Sequence, residues 1–260
     1  MAQKQRLDLL LAERGLAPSR EKARAMIMAG EITVDGRIVD KPGAQIFLSA
    51  ELRAKNKPRF VSRGGEKLAA ALQAFDLNVT ASVCADVGAS TGGFTDCLLQ
   101  NGAVRVYALD VGYGQLDYSM RQNERVIAME RTNARYVEVL DEPIDLVTVD
   151  ASFISLRLLL PVIKGWLKPS ASVIPLIKPQ FEAGKQEVGK GGVIKNTNVH
   201  ARVLEDILTF AVKEGFVING LILSPLKGPA GNIEFLAWLR WGIPLSETKD
   251  IPTLIQAVLP

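Results

Sequence analysis

Short apolar runs alternate with helical segments through the last two thirds of the chain. Five of these runs lie near residues 83–87, 105–109, 125–129, 145–149 and 172–177. This alternation predicts a parallel sheet with helices on both faces. Two more runs, at 217–223 and 233–238, are separated only by residues 224–232, so they are expected to pair antiparallel. The predicted fold class is α/β, a Rossmann-like, mostly parallel seven-stranded sheet whose last strand is antiparallel.

The first 40 residues have a different pattern. A first helix is predicted to end at Gly15, and a second helix begins after the capping residue Ser19 and ends at Gly30. Short alternating runs then flank Asp35-Gly36, a dipeptide typical of the type I′ turn of a hairpin. Two short helices and a hairpin predict a small α+β unit ahead of the large sheet.

Positive charge is concentrated in the same part of the chain. Residues 1–67 contain 14 Lys and Arg against 8 Asp and Glu, whereas the remainder contains 17 against 20. Such an excess indicates a polyanionic partner, although charge alone is equally consistent with a solvated basic face.

The small unit resembles the RNA-binding module first seen in ribosomal protein S-four. The residues that carry this resemblance are Arg6-Leu7-Asp8, Ser19-Arg20-Glu21-Lys22-Ala23, Ile27, Gly30, Val34-Asp35-Gly36 and Lys41-Pro42. The resemblance implies RNA binding, and the side chains expected to contact RNA are Arg6, Arg20, Lys22, Arg24, Lys41, Arg63 and Lys190. The predicted organisation is a small RNA-binding domain over residues 1–50, a linker rich in Lys, Arg, Asn and Pro over 51–63, and a large domain over 64–260.

A glycine-rich turn follows the first strand of the large domain. Its sequence is Asp86-Val87-Gly88-Ala89-Ser90-Thr91-Gly92-Gly93-Phe94, a strand end, a turn and a helix start. Dinucleotide enzymes have the spacing G-x-G-x-x-G here, but Ser90 replaces the glycine that lets the backbone meet a pyrophosphate. Backbone amides and a hydroxyl suit the carboxylate of a methionine, so the spacing favours S-adenosylmethionine over NAD.

Two polar residues after the next strands extend this predicted cofactor site. Asp110 ends the second strand, where a carboxylate can bind a ribose diol, although it could also cap a helix. Asn133 follows the third strand and is expected near the adenine, or else it is a turn residue. The predicted cofactor ligands are Asp86, Gly88, Ser90, Thr91, Gly92, Gly93, Phe94, Asp110, Asn133 and Asp150.

Charged residues stand where a parallel sheet would present them at one mouth. Asp150 and Lys178 follow the fourth and fifth strands, Lys67 opens the helix before the first strand, and Glu234 begins the last strand. Each alone could be a surface charge, a helix cap or a strand-end residue. Together they could deprotonate a ribose hydroxyl, since a lysine can act as a base when nearby charge and desolvation favour its neutral form.

The large domain is similar to the FtsJ group of methyltransferases, and the chain from residue 5 to 241 resembles the TlyA family. The matching segments are residues 62–68, 86–95, 150–156, 178–182 and 231–234. The family's Lys-Asp-Lys-Glu tetrad falls on Lys67, Asp150, Lys178 and Glu234. The resemblance implies cytidine 2'-O-methylation in ribosomal RNA with S-adenosylmethionine as donor and the ribosome or its subunits as partner. It also implies that Lys178 is the base, that Asp150 and Lys67 tune it, and that Glu234 orients the group.

Other motifs are less informative. Cys84 and Cys97 form neither a disulfide framework nor a CxxC metal site, and no metal is expected. Residues 184–191 nearly spell a P-loop but lack its Ser or Thr, so a basic loop over RNA or a plain flexible loop is expected. The single histidine, His200, is expected at the surface or at a helix cap.

Several expectations concern cellular context and rival functions. The chain has no apolar run long enough to span a bilayer and no signal-peptide pattern at its start, so a cytoplasmic location is expected. The oligomeric state and the target nucleotide stay open. The alternative functions are an RNA-binding assembly factor with an inert transferase site, an NAD-dependent oxidoreductase, and a hemolysin.

Overall fold

The computed structural model describes residues 3–54, 59–189 and 191–259. The chain divides into two compact units, residues 1–58 and 59–260, and each is described by itself.

The first unit combines two helices with short strands. Its elements are β1 (Lys4–Arg6), α1 (Leu7–Glu13), α2 (Arg20–Met28), β2 (Ile32–Val34), β3 (Arg37–Ile38), β4 (Gln45–Phe47) and β5 (Leu52–Ala54). Strands β1 and β4 pair antiparallel, and β2 lies between β3 and β5 in a second sheet. Leu7, Leu11, Ile27 and Ile32 form the centre of its core.

Most of the predicted local structure of this unit is present, with one correction. The Ser19 hydroxyl accepts a hydrogen bond from the Lys22 amide and caps α2. Asp35 and Gly36 have φ values of 49° and 78°, the positive values that a type I′ turn requires. The predicted linker over residues 51–63 begins too early, because Leu52–Ala54 is β5 and pairs with β2. Its residues 55–58 lie outside the described residues.

A seven-stranded sheet forms the centre of the second unit and confirms the predicted fold class. Its strands are β6 (Val83–Val87), β7 (Arg105–Leu109), β8 (Val126–Met129), β9 (Ile144–Val149), β10 (Leu167–Ile177), β11 (Val217–Leu223) and β12 (Phe235–Arg240). Their order is β11-β12-β10-β9-β6-β7-β8, and only β12 runs opposite to its neighbours. The predicted antiparallel pairing of the last two strands is therefore confirmed.

Helices cover both faces of this sheet. They are α3 (Gly64–Ala74), α4 (Gly93–Gln100), α5 (Tyr118–Arg121), α6 (Leu156–Ile163), α7 (Pro179–Glu182), α8 (Thr197–Lys213) and α9 (Ile251–Val258). Short 3₁₀ turns lie at Ala134–Tyr136, Lys164–Trp166, Lys185–Glu187 and Leu245–Glu247. Alternate strand residues face two apolar clusters, one with α6, α8 and α9 and the other with α3 and α4.

The strand order reverses direction next to β6. From β6 the chain moves outward through β7 and β8, then returns to β9 on the other side of β6. Ligands of open α/β sheets bind in the crevice that such a reversal leaves at the carboxyl ends of the strands. A ligand crevice is therefore expected between the segments that follow β6 and β9.

The described helices include none that has both the length and the apolar character to cross a membrane.

Candidate active site

The turn after β6 approaches the segment after β9 very closely. Gly88 has a φ of +82°, and a Cβ atom there would lie 2.8 Å from the carbonyl oxygen of Asp150. The Asp150 amide also donates to the Val87 carbonyl at 2.8 Å. A side chain at position 88 would force these two segments apart, which explains the glycine.

Some amides of this turn are used inside the protein, and others have no partner. The amides of Gly88 and Ala89 both donate to the Leu109 carbonyl. Within the part of the chain that the structure describes, the amides of Thr91, Gly93 and Phe94 donate no hydrogen bond. These N–H groups at the start of α4 can therefore bind an anionic group.

Asp86 does not face the crevice. Its side chain is fully buried, and it accepts hydrogen bonds from the hydroxyls of Thr95 at 2.7 Å and Thr148 at 3.0 Å. Burial raises the pKa of Asp86 to about 6, and these hydroxyls act against the rise. The prediction that Asp86 binds a cofactor directly is therefore wrong, because its carboxylate joins α4 to the strands from beneath the turn.

A first pocket, here named the Asp110 pocket, lies at the ends of β6, β7 and β9. It has a volume of about 680 Å³, within the usual range for small-molecule sites, and is lined by residues that include Gly88, Ser90, Asp110, Asn133 and Asp150. The two carboxylate oxygens of Asp110 accept from the amides of Ser90 at 2.8 Å and Gly112 at 2.7 Å. Asn133 caps the 3₁₀ turn that follows it, so its turn role is present while its side chain still borders the pocket.

A second pocket, here named the lysine pocket, adjoins the first and has a volume of about 320 Å³. Ten residues predicted from the sequence as site residues line this pocket: Arg63, Lys67, Gly88, Ser90, Thr91, Gly93, Phe94, Asp150, Lys178 and Glu234. The predicted ligand Gly92 borders neither pocket, because its Cα faces Leu116 and Met120. Four basic side chains and two acidic ones line the lysine pocket, which favours a negatively charged ligand.

The tetrad predicted from the sequence forms two ion pairs in the lysine pocket. Lys67 Nζ lies 2.6 Å from Glu234 Oε2, and their side chains are 10% and 1% exposed. Lys178 Nζ lies 2.7 Å from Asp150 Oδ1. Because β12 runs antiparallel to β10 with Phe235 opposite Ile177, Glu234 and Lys178 come to the same edge of the sheet.

Further contacts hold the head group of Lys178 in place. Its ammonium donates to the hydroxyl of Ser152 at 3.0 Å and to the carbonyl of Asp150 at 3.3 Å. The Gln180 amide donates to Glu234 Oε1 at 3.3 Å. Ser152 and Gln180 were not among the predicted site residues, although both stand in the segments that also carry Asp150 and Lys178.

The Glu182 carboxylate links the segments that carry Lys178 and Asp150. Glu182 accepts hydrogen bonds from the Ser155 hydroxyl at 2.6 Å and from the Leu156 amide at 2.8 Å. Burial raises the pKa of Glu182. The contact joins α7, which follows Lys178, to the start of α6, which follows Asp150, so the spacing of the pair depends on two helices.

Other predicted residues lie elsewhere. Lys22, Arg24 and Lys41 are exposed on the first unit, where Arg6 and Arg20 contact Asp8. Lys190 lies outside the described residues. The expected surface or capping position of His200 is wrong, since its ring is 2% exposed and Nε2 lies 3.2 Å from the Ile194 carbonyl.

Lys227 also borders the lysine pocket and was not predicted. It lies in the segment between the last two strands, where the sequence shows only turn residues around one basic side chain. The described residues contain no cluster of His, Cys, Asp and Glu suited to a metal ion.

Known proteins share both the sequence and the fold. Residues 60–241 match the family described as FtsJ-like methyltransferase, and residues 5–46 match the S4 domain. The 16S/23S rRNA (cytidine-2'-O)-methyltransferase TlyA of Mycobacterium tuberculosis is 44% identical over 244 residues, which cover 92% of this chain and 91% of that protein. YqxC of Bacillus subtilis, described as a candidate rRNA methyltransferase, is 49% identical over 256 residues, or 96% of this chain and 91% of that protein.

A solved structure of similar length has a similar fold. A Streptococcus thermophilus protein described as a candidate hemolysin has a TM-score of 0.75 and 44% identity, covering 99% of this chain and 95% of its own. The methyltransferase match includes every residue of the two ion pairs. The chain therefore belongs to the FtsJ-like methyltransferases, and within them to the family of the proteins named TlyA, with an S4 domain at its N-terminal end.

Proposed function

We propose that this chain transfers a methyl group from S-adenosylmethionine to the ribose 2'-hydroxyl of a cytidine in ribosomal RNA. The observation that carries the proposal is the position of Lys178 and Asp150. Their ion pair stands where the lysine pocket meets the Asp110 pocket, and Asp150 lines both. A proton acceptor at that boundary can serve a hydroxyl that enters the lysine pocket beside a methyl donor whose nucleoside end occupies the Asp110 pocket.

The residues around the Asp110 pocket fit such a donor. S-adenosylmethionine supplies a methyl group that is activated for transfer by its sulfonium. Asp110 offers carboxylate oxygens to the ribose diol. The unpartnered amides of Gly93 and Phe94, which line the adjoining lysine pocket, suit the methionine carboxylate. Asn133 is placed to contact the adenine end.

Lys178 is the proposed base. In its neutral form, the amine accepts the proton of the 2'-hydroxyl as the oxygen becomes methylated. Asp150 and Ser152 hold Nζ in one position, so the acceptor need not be ordered at the moment of reaction. Lys67 and Glu234 line the same pocket and are proposed to orient the ribose, with Glu234 fixed by Lys67 and Gln180.

The RNA substrate is proposed on separate grounds. The first unit matches the S4 domain and has an exposed basic face on α2, and the lysine pocket is lined by an excess of basic side chains. The choice of cytidine follows the name of the Mycobacterium tuberculosis relative. Because the ribosome or its subunits are the proposed partner, we place the enzyme in the cytoplasm.

Two measurements test this function. Calorimetric titration is expected to show binding of S-adenosylmethionine and none of NAD; the reverse result would identify an oxidoreductase instead. Ribosomal subunits from a strain that lacks the protein, incubated with it and tritiated donor, are expected to gain label that maps to a cytidine 2'-oxygen. Donor binding without label in any subunit would indicate an assembly factor with an inert site.

A further inference from the structure

The first unit contains a fully buried carboxylate, Asp8, that contacts two arginines. Asp8 lies in the first turn of α1 and is 0% exposed. Its oxygens accept four hydrogen bonds: Oδ1 from Arg6 Nε and the Leu9 amide, and Oδ2 from Arg6 Nη2 and Arg20 Nε. These bonds use the accepting capacity of both oxygens, so Asp8 has no remaining role toward a ligand.

The two arginines keep donors that face solvent. Their side chains are 41% and 52% exposed. Among the described residues, Arg6 Nη1 and both terminal nitrogens of Arg20 have no hydrogen-bond partner. Each guanidinium is thus held from one side by Asp8 and presents its other side outward.

Rigid elements carry both arginines to this carboxylate. Arg6 ends β1 and pairs with Gln45 of β4, while Arg20 begins α2 directly after its serine cap. A Cβ atom on Gly43 would lie 3.3 Å from Arg6 Nη1, so the glycine leaves room for the guanidinium plane to lie against the backbone. An unpaired arginine samples many rotamers, and here the two are already ordered before any partner arrives.

We propose that Asp8 is a positioning residue that holds Arg6 and Arg20 as a two-arginine fork for an RNA phosphodiester. Guanidinium groups bind phosphate oxygens in a planar, bidentate manner, and two fixed groups define where the phosphate must lie. The inference rests on the proposed RNA substrate and deepens it, because it states which contact sets the register of the first unit on RNA.

The inference opposes what net charge alone would predict. Asp8→Asn removes a negative charge beneath the two arginines, so simple electrostatics predicts tighter binding to RNA. An asparagine amide would instead turn a donor toward an arginine donor and release at least one guanidinium. We therefore expect the dissociation constant for subunits to rise about tenfold. The slope of log affinity against log salt should fall by about one for each phosphate that the variant no longer binds.

Glu21→Gln is the matched control. Glu21 is exposed on α2 beside Arg20, and its substitution makes the same change of charge without contact with either arginine. The full-length proteins are compared by filter binding to ribosomal subunits from a strain that lacks the protein, over a series of salt concentrations. The control is expected to bind as tightly as the unmodified protein, or slightly more tightly.

A cycle of variants separates positioning from a general loss of structure. If Asp8 acts through the arginines, Asp8→Asn has no further effect on binding in the Arg6→Ala/Arg20→Ala background. Circular dichroism establishes that each variant is folded, and Arg6→Lys with Arg20→Lys tests geometry at constant charge. Should Asp8→Asn bind as tightly as Glu21→Gln, or should the lysine variant bind normally, the inference is wrong while the proposed function stands. Failure of the unmodified protein to bind subunits would overturn both.

Discussion

The Asp110 pocket and the lysine pocket share a wall, yet they are assembled in different ways. The Asp110 pocket is formed by the carboxyl ends of successive strands and by backbone amides of one short turn. The lysine pocket is formed by side chains from segments far apart in the chain, and Lys67 and Glu234 are separated by 167 positions. One pocket depends on local backbone geometry, and the other depends on the whole fold.

This difference implies that the two pockets respond differently to substitution. Removing one charged side chain of the lysine pocket leaves its ion-pair partner in the pocket without a counter-charge. A substitution in the Asp110 pocket removes one of several protein groups that are proposed to contact the donor. We therefore expect turnover to depend most on the lysine pocket and donor affinity most on the Asp110 pocket.

The largest effect is expected from Lys178→Ala. Loss of the base should lower the rate of methyl transfer by about a thousandfold. Donor affinity, measured by calorimetry, is expected to stay unchanged. Lys168→Ala is a matched control on β10, the strand that precedes Lys178, since Lys168 pairs with Asp145 and lines neither pocket. Retention of methyl transfer by Lys178→Ala would refute the proposed base.

Glu234→Gln should have the next largest effect. It leaves Lys67 buried without a charged partner, which is expected to lower the free energy of unfolding by about 3 kcal/mol and to slow transfer about a hundredfold. Glu214→Gln is the control, because Glu214 also lies 2.6 Å from a lysine, Lys164, but in a more exposed pair worth about 1 kcal/mol or less.

A second variant separates stability from chemistry in this pair. Adding Lys67→Met to Glu234→Gln should restore the free energy of unfolding, measured by urea denaturation, without restoring transfer. If the double variant regains activity, Lys67 and Glu234 serve only the fold, and the contrast between the pockets weakens.

Asp110→Asn should affect the other pocket. Loss of a carboxylate partner for the ribose diol is expected to weaken donor binding about tenfold by calorimetry, with the rate at saturating donor retained. Asp117→Asn, at the cap of α5 and outside both pockets, should leave donor affinity unchanged. A fall in the saturated rate with normal donor affinity would assign Asp110 to the chemistry instead.

The smallest effect on methyl transfer is expected from Asp86, the residue beneath the turn, where a substitution should alter stability instead. Because burial raises the pKa of Asp86 to about 6, the folded state keeps a proton that the unfolded chain releases near pH 4. The free energy of unfolding should therefore fall as pH rises from about 4 to about 6 and then level off. Asp86→Asn should lack this fall and be more stable than the unmodified protein above pH 6, by about 3 kcal/mol at most. Urea denaturation across that range would contradict the assignment if both proteins show the same pH slope.

Periodicity was sufficient to predict the large sheet, because its strands are apolar runs bounded by turns. It does not predict β1 and β4, each of which has three residues and no clear alternation. It also misses β5, since Leu52–Ala54 lies in a segment whose composition is that of a linker. Short strands are stabilised by partners distant in sequence, and their own residues contain little information about them.

The site shows the same limit at the level of side chains. The motif around Gly88 predicts a sharp turn, but it does not reveal that Asp86 points inward, since that depends on the positions of Thr95 and Thr148. The four charged residues could be selected from the sequence by resemblance to a family. Their division into Lys67 with Glu234 and Lys178 with Asp150 required the antiparallel register of β12.

That reversed last strand has a consequence for synthesis of the protein. Glu234 reaches the lysine pocket only when β12 has inserted between β10 and β11, after nearly the whole chain has left the ribosome. Lys67 is made early and stays without this partner until then. A chain that ends before β12 therefore lacks Glu234 and, with it, one part of the proposed acceptor site.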